Sequence, residues 1–192
     1  MVEADTKKYQ ILRRLFKASD EDFRAKLELV ERNLPEEMLK LRGLKQRPHH
    51  QELDPLEHTL RVLKTLDTSG LGDEEREILR CVSLYHDLGK LVDPLNSNHG
   101  EISASMAEPH LIKMNYPKET REKIKHLIRR HTILGKAAWG GLPITEARRI
   151  LGHGMMTDLV YRHTVADVSS IPELKQQLPD IHAIYKAILN GE

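Results

Sequence analysis

The stretch SLYHDLGKLVDP, residues 83–94, places a histidine and an aspartate side by side where an apolar helical pattern ends. The C-terminal end of a helix carries about half a negative charge, so the carboxylate of Asp87 costs ~0.3–1 kcal/mol there when exposed and more when buried. A positive charge must offset it. Lys90 is one candidate, and a divalent cation that also binds the ring nitrogen of His86 is the other. Taken alone, the dipeptide favours a solvated helix end.

The segments on either side of this stretch predict helices. GDEEREILRCVSLYHDLGK predicts a helix from Asp73, taken as its N-cap, to Gly89. Its apolar residues surround most of the circumference, which is typical of a central helix. DPLEHTLRVLKTL predicts a helix with Asp54 as N-cap and Pro55 in the first turn, followed by a glutamate that completes a capping box.

Helical periodicity extends over most of the remaining chain, and no alternating strand pattern is present. Residues 135–143, GKAAWGGLP, predict a glycine-rich loop around Trp139. We therefore predict an all-α, single-domain helical bundle, with residues 1–43 as a helical extension packed on a core of residues 44–192. The other predicted helices are TKKYQILRRLF, SDEDFRAKLELVERNL, PEEMLKLRG, HGEISASMAEPHLIKM with a kink at Pro109, PKETREKIKHLIRRH, TEARRILG, GMMTDLVYRHTVADVSS and DIHAIYKAIL.

Composition limits the partners and the compartment. The 192 residues include 30 Lys and Arg against 29 Asp and Glu, so the net charge of +1 provides no general attraction to nucleic acid or acidic lipid. We expect no long nucleic acid and no membrane as partners, and a homodimer is left open. The single cysteine, Cys81, permits no internal disulfide, and the charged N-terminus resembles no signal peptide. These features favour a cytoplasmic protein.

Two later helices carry polar side chains on apolar stripes. His131 follows the stripe of Ile124, Leu127 and Ile128 and is predicted to face the core, whereas His126 points to solvent. A buried histidine is more often a hydrogen-bonded core residue than a metal ligand.

A second stripe on the predicted helix at residues 154–170 carries His163 and Asp167. An unpaired carboxylate on such a face costs several kcal/mol, so Asp167 requires a cation or dense hydrogen bonding. Periodicity alone buries neither His58 nor His99, and the ordinary interpretation of His163 is a core histidine.

Five segments resemble, in order, those of the HD-domain superfamily of metal-dependent phosphohydrolases: EHTLRVL, LYHDLGK, NHGEISASM, IRRHT and VADVSS. The resemblance covers about residues 54–170, and five segments in order are more specific than any one of them. The spacing between HDLGK and NHGEISA is similar to that in the HD domains of bacterial ribonuclease Y. The chain length is similar to that of the HD family that splits diadenosine tetraphosphate. The Glu-Asp pair of alarmone hydrolases and the Gly-Tyr-Pro motif of cyclic-di-GMP phosphodiesterases are missing.

The resemblance implies a centre of one or two divalent metal ions (Fe, Mn, Zn, Ni or Co). It assigns His58, His86, Asp87 and Asp167 to the first ion, and Asp87, His99 and His131 to the second. The implied activity is hydrolysis of a phosphoester or phosphoanhydride bond, in a small phosphorylated or nucleotide-type substrate, by metal-activated water held near Asp87.

Further residues are predicted to contact the substrate: Lys90 as a catalytic and phosphate-binding cation, Arg129 and Arg130 at the pocket mouth, Trp139 against a base, and His163 in the pocket. The alternatives are a capping charge for Lys90, a solvated face for the arginines, and packing on the domain for Trp139. Two other functions stay open. One is an HD-type di-iron oxygenase acting on a small polyol or phosphonate, and the other is a regulatory module that binds a nucleotide without hydrolysing it.

Overall fold

The computed structural model describes residues 2–45, 54–96 and 98–191, and within these ranges the chain forms helices and connecting segments but no strand. The predicted all-α class is confirmed. The α-helices are α1 (Val2–Lys17), α2 (Asp20–Ala25), α3 (Leu27–Arg32), α4 (Glu36–Leu39), α5 (Pro55–Thr65), α6 (Asp73–Tyr85), α7 (His99–Lys113), α8 (Lys118–Arg130), α9 (Ile133–Ala138), α10 (Ile144–Leu151), α11 (Met155–Ser169) and α12 (Leu178–Asn190). In the described ranges, two 3₁₀ helices span Leu88–Leu91 and Pro172–Gln177.

Helix α6 is the centre of the bundle and packs against α1, α5, α8 and α11. Every residue from Glu77 to Tyr85 is buried, as its apolar circumference predicts. Its N-cap is Gly72, so the prediction of Asp73 as the cap is wrong. Asp73 lies in the first turn instead, where its carboxylate still meets the positive end of the helix dipole.

Helix α6 also ends earlier than predicted, at Tyr85 instead of Gly89, and the chain continues as the 3₁₀ helix Leu88–Leu91. The physical reason is the close approach of α7. A Cβ atom on Gly89 would collide with the carbonyl oxygen of His99, and the amide of Gly89 donates a 2.8 Å hydrogen bond to Ser103 Oγ. The close contact at this point requires glycine.

The N-terminal helices are fastened to α6 by a buried arginine. Arg80 is 1% exposed, and its guanidinium donates to the carbonyl oxygens of Phe16 and Ala18 at 3.0 and 2.6 Å. It also pairs with Asp20 at 2.6 Å and lies 4.1 Å from the ring centroid of Phe23. One side chain of α6 thus joins the corner between α1 and α2 to the bundle. The division of the chain near residue 43 stays a prediction, and residues 46–53 lie outside the described ranges.

Two other predicted elements differ in the structure. The single helix predicted over residues 19–34 is divided into α2 and α3, because Lys26, at an exposed position, leaves the helical conformation (φ −112°, ψ 17°). The glycine-rich loop predicted over residues 135–143 begins as helix α9, whose C-cap is Trp139. Gly135 lies inside this helix, and the indole of Trp139 packs against it. Pro109 lies inside α7, which continues to Lys113.

Candidate metal centre

Six side chains from five parts of the chain meet at one site. They come from α5, the segment after α6, the start of α7, the end of α8 and α11. Sequence periodicity placed only two of them, His131 and Asp167, on buried stripes. The exposed fractions are His58 1%, His86 0%, Asp87 2%, His99 8% and His131 3%, while the Asp167 side chain is 26% exposed.

The first group of donors surrounds His58 and His86. His58 Nε2 lies 2.8 Å from Asp167 Oδ1, and His86 Nε2 lies 3.4 Å from Asp87 Oδ2. The two Nε2 atoms are 3.4 Å apart. One ligand atom from each of His58, His86 and Asp87 lies within 4.8 Å of the others, close enough to bind one ion together.

The second group shares Asp87 with the first. His99 Nε2 lies 2.9 Å from Asp87 Oδ1 and 3.1 Å from His131 Nε2. The other carboxylate oxygen, Oδ2, faces the first group and accepts a 2.6 Å hydrogen bond from Lys90 Nζ. The two oxygens of one carboxylate therefore face two different groups of imidazoles, which is an arrangement suited to bridging two ions.

Hydrogen bonds on the far side of each ring fix the orientation of the histidines. Since a carbonyl oxygen only accepts, the Nδ1 atom of three rings must carry a proton, so each ring, in its neutral form, directs the Nε2 lone pair into the site. The Nδ1 atom of His58 also carries a proton. The hydroxyl of Ser170 donates its hydrogen to the carbonyl of Asp167 at 2.7 Å, so its oxygen accepts a hydrogen bond from the His58 ring. The pairs are His58–Ser170 Oγ at 3.0 Å, His86–Ser83 O at 2.9 Å, His99–Asn96 O at 2.9 Å and His131–Ile128 O at 2.7 Å.

This tautomer pattern makes the site suitable for a cation. Metal-binding histidines usually donate their outer ring N–H to a carbonyl or carboxylate in this way. The inner Nε2 atoms of His99 and His131, 3.1 Å apart, bring two lone pairs together, and only a proton or a metal ion between them relieves the repulsion. The donor set of imidazoles and carboxylates fits a divalent transition metal.

Burial and neighbouring charges determine the protonation states. Burial by itself raises the pKa of Asp87, but the positive charges of His86 and Lys90 outweigh it and hold that pKa well below its usual range. The pKa of Asp167 is also lowered, because the hydrogen bond and charge of His58 outweigh desolvation. Burial, followed by repulsion from His99, lowers the pKa of His131 well below its usual value. At neutral pH the site therefore has ionised carboxylates and a neutral His131.

A cavity of about 210 Å³ opens onto these donors. Asp87 and Lys90 line it, and Lys90 is only 6% exposed, so its charge lies in the cavity wall instead of at a solvated helix end. Trp139 and Lys136 of the α9 region line the same cavity. The apolar part of the wall is formed by Pro94, Val168, Ile171 and Leu174.

Three predicted substrate contacts lie elsewhere. Arg129 Nε pairs with Glu101 at 2.9 Å, and Arg130 Nε donates to the carbonyl of Ile150 at 3.2 Å. His163 is fully buried behind the site, with its ring 4.8 Å from that of His86, and burial lowers its pKa to about 3. None of the three is among the residues that line the described cavity, and their contacts with a substrate stay predictions.

The sequence pattern does not point to Lys136, because GKAAWGGLP predicts a loop over residues 135–143. In a helix, residues three apart share a face, so the positions of Lys136 and Trp139 on α9 would have placed both beside the turn that carries His131.

Comparison with known proteins agrees with this geometry. The family model for the HD domain matches residues 56–170, which include all six converging side chains. A search of the curated proteins found no match. Among the described residues, no helix is both long enough and apolar enough to cross a membrane. The likeness to ribonuclease Y and to diadenosine tetraphosphate hydrolases stays a prediction. With more than half of its length matched, the chain belongs to the HD-domain family, a superfamily of metal-dependent phosphohydrolases.

Proposed function

We propose that the chain hydrolyses a phosphoester or phosphoanhydride bond in a small nucleotide-type substrate. The observation that supports this most is the set of histidines whose Nδ1 atoms are fixed by acceptors and whose Nε2 atoms converge around one carboxylate. Divalent transition-metal ions bound there would neutralise phosphoryl charge and supply an acidified water. The residues that would hold them are His58, His86, Asp87, His99, His131 and Asp167.

Asp87 and Lys90 have different roles in this proposal. The low pKa of Asp87 keeps both oxygens unprotonated at neutral pH, so it acts only as an acceptor and orients the groups on either side of it. Lys90 supplies an ammonium in the cavity wall, 2.6 Å from Asp87 Oδ2, where it can bind a phosphoryl oxygen and stabilise negative charge that develops there.

Cavity size and charge favour a small substrate. At about 210 Å³ the cavity is smaller than the roughly 300–1,000 Å³ of typical ligand pockets, which favours a single phosphate-bearing unit over a polymer. Lys136 adds a second ammonium to the wall and lies 3.5 Å from Asn98 Oδ1. Two cations in one small cavity suit the charge of a phosphate monoester.

The test combines metal analysis with turnover. Protein purified without chelator should contain bound transition metal, and Asp87→Ala should lose most of it while keeping its helical circular dichroism spectrum. The native protein should release inorganic phosphate from at least one mononucleotide, or split at least one dinucleotide polyphosphate into two nucleotides, in a panel of both classes. Absence of metal under replete conditions would refute the proposal. Oxygen consumption with a mixed-valent iron signal would support the oxygenase function instead. Tight nucleotide binding without turnover would support the regulatory function instead.

A further inference from the structure

The only tryptophan of the sequence, Trp139, rests on a glycine of its own helix. A Cβ atom built on Gly135 would lie 3.2 Å from Cη2, 3.4 Å from Cζ3 and 3.6 Å from Cζ2 of the indole. The distal edge of the ring therefore contacts the backbone where no side chain is present. The amide of Trp139 also donates a 3.0 Å hydrogen bond to the carbonyl of Gly135, which fixes the other end of the residue.

The rest of the Trp139 ring is not part of the hydrophobic core. Trp139 is 53% exposed and lines the cavity that contains the metal-binding side chains. An aromatic ring contributes most to folding when it is buried, so a half-exposed tryptophan held at one edge gains little of that stabilisation. A large exposed apolar group at a cavity is typical of a ligand-binding surface.

The surrounding cavity wall has two chemical characters. One part carries the carboxylates and imidazoles together with Lys90 and Lys136. The other part is apolar, with Pro94, Ile171 and Leu174 on the same cavity as Trp139. A ligand that satisfies both parts has an anionic phosphate and a flat apolar ring joined within one small molecule.

We propose that Trp139, positioned by Gly135, is a stacking surface that selects phosphate esters carrying a planar aromatic ring. This inference rests on the proposed phosphohydrolase function and specifies the substrate class. Trp139 is the specificity-determining residue, and Gly135 is a positioning residue that acts through it. A nucleoside monophosphate fits this description, and a sugar phosphate without a base does not.

The test uses the tryptophan itself as the probe, because its fluorescence reports on one ring alone. Adenosine 5′-monophosphate and ribose 5-phosphate are mixed separately with native, metal-replete protein, and emission is followed by stopped flow before turnover. The nucleotide should quench the emission with a saturable dependence on concentration, and the sugar phosphate should not.

Kinetics of variants supply the second readout. Trp139→Ala should lower kcat/KM for the nucleotide on the order of 10- to 100-fold, as expected for loss of one base–aromatic stack, with little change for ribose 5-phosphate. Trp139→Phe should restore most of the loss. Gly135→Ala should give a smaller loss, confined to the nucleotide, because its Cβ displaces the ring. Gly141→Ala is the matched control, since its Cβ would meet only the carbonyl of Lys136 at an ordinary 3.4 Å.

The outcomes separate the two proposals. If both esters are hydrolysed with equal kcat/KM and Trp139→Ala affects both or neither, the stacking surface is refuted while the hydrolase stands. If the nucleotide quenches saturably but no compound of the mononucleotide and dinucleotide polyphosphate panel is hydrolysed, the stacking surface stands and the hydrolase fails. Absence of quenching by both adenosine 5′-monophosphate and p-nitrophenyl phosphate refutes the stacking surface. Metal content and circular dichroism of each variant confirm that the fold is retained.

Discussion

At the scale of single residues, the surroundings of Asp87 show which positive charge offsets a carboxylate at the end of a helix. A carboxylate at the end of a helix needs positive charge, and Lys90 supplies it at 2.6 Å. This pairing would be sufficient for a structural aspartate. It does not account for the four imidazoles whose Nε2 atoms converge around the carboxylate, so the lysine and the candidate metal ligands belong to the same site and are not alternatives.

The sharing of Asp87 predicts how metal is lost from single-residue variants. His131 belongs only to the second group of donors, 3.1 Å from His99 Nε2, whereas Asp87 contacts both groups. His131→Gln should therefore lose about half of the metal bound by a two-ion site, and Asp87→Ala nearly all of it. Elemental analysis of the purified variants measures this directly. Equal losses in the two variants would show that the donors form a single site.

The second prediction at this scale concerns Lys90. If its ammonium stabilises phosphoryl charge, Lys90→Gln should lower kcat by about 100- to 1,000-fold, the size found when one preorganised donor is removed from an active site. Lys90→Arg should recover part of the rate because it keeps the charge. Initial rates of phosphate release provide the measurement, and unchanged kcat in Lys90→Gln would reduce the residue to a structural charge.

At the scale of elements, two glycines allow α7 to approach its neighbours closely enough to complete the site. A Cβ on Gly89 would lie 2.8 Å from the amide nitrogen of Ser103, and one on Gly100 would lie 2.9 Å from the carbonyl oxygen of Ile128. Both glycines pack against backbone that carries or orients the histidines. A change in backbone packing at these glycines would therefore change the distance between the two donor groups.

Gly89→Ala should consequently destabilise the fold and disturb the site. Its neighbours are backbone atoms that cannot rotate away, so we expect a loss of about 1–3 kcal/mol in the free energy of unfolding, as for other overpacked sites. Urea denaturation measures the loss, and elemental analysis should show reduced metal in the folded variant. Gly141→Ala, at a position with ordinary contact distances, should change neither quantity. A Gly89→Ala protein as stable as the native one would contradict this account.

Helix periodicity predicted the α-helical class and the central position of α6, because these depend on which residues are apolar. It could not place His58, since the stripe of leucines on α5 covers only one side of that helix while α11 covers another. It also predicted a loop in place of α9, because glycine often ends a helix, whereas Gly135 lies inside this helix with the Trp139 indole packed against it. Five matching segments predicted which side chains converge where periodicity did not, since convergence of distant residues is a property of the fold.

At the scale of the whole molecule, the N-terminal helices and the bundle share one hydrophobic core. Tyr9, Leu12 and Phe16 of α1 are no more than 2% exposed, and Arg80 joins the corner after α1 to the central helix. Removal of one partner from a buried ion pair leaves the other charge without compensation. The attachment of the N-terminal helices therefore contributes to the stability of the whole chain. We expect this contribution to depend on pH through the carboxylate of Asp20.

The sign of this pH dependence follows from the pKa of Asp20. Partial burial raises that pKa, but hydrogen bonds from Thr68 and the charge of Arg80 outweigh it, so the folded-state pKa lies below the ordinary 3.8. A lowered pKa contributes stability that is complete above the unfolded-state value and is lost as the pH falls through the folded-state value. The native protein should therefore lose stability more steeply below pH 3.8 than Asp20→Asn does, whereas above it the variant should be the less stable of the two. Thermal unfolding followed by circular dichroism across this pH range measures the difference. Asp22→Asn, at an exposed position, is the matched control. Parallel curves of stability against pH for the native protein and Asp20→Asn would show that the Asp20–Arg80 pair contributes nothing to acid sensitivity.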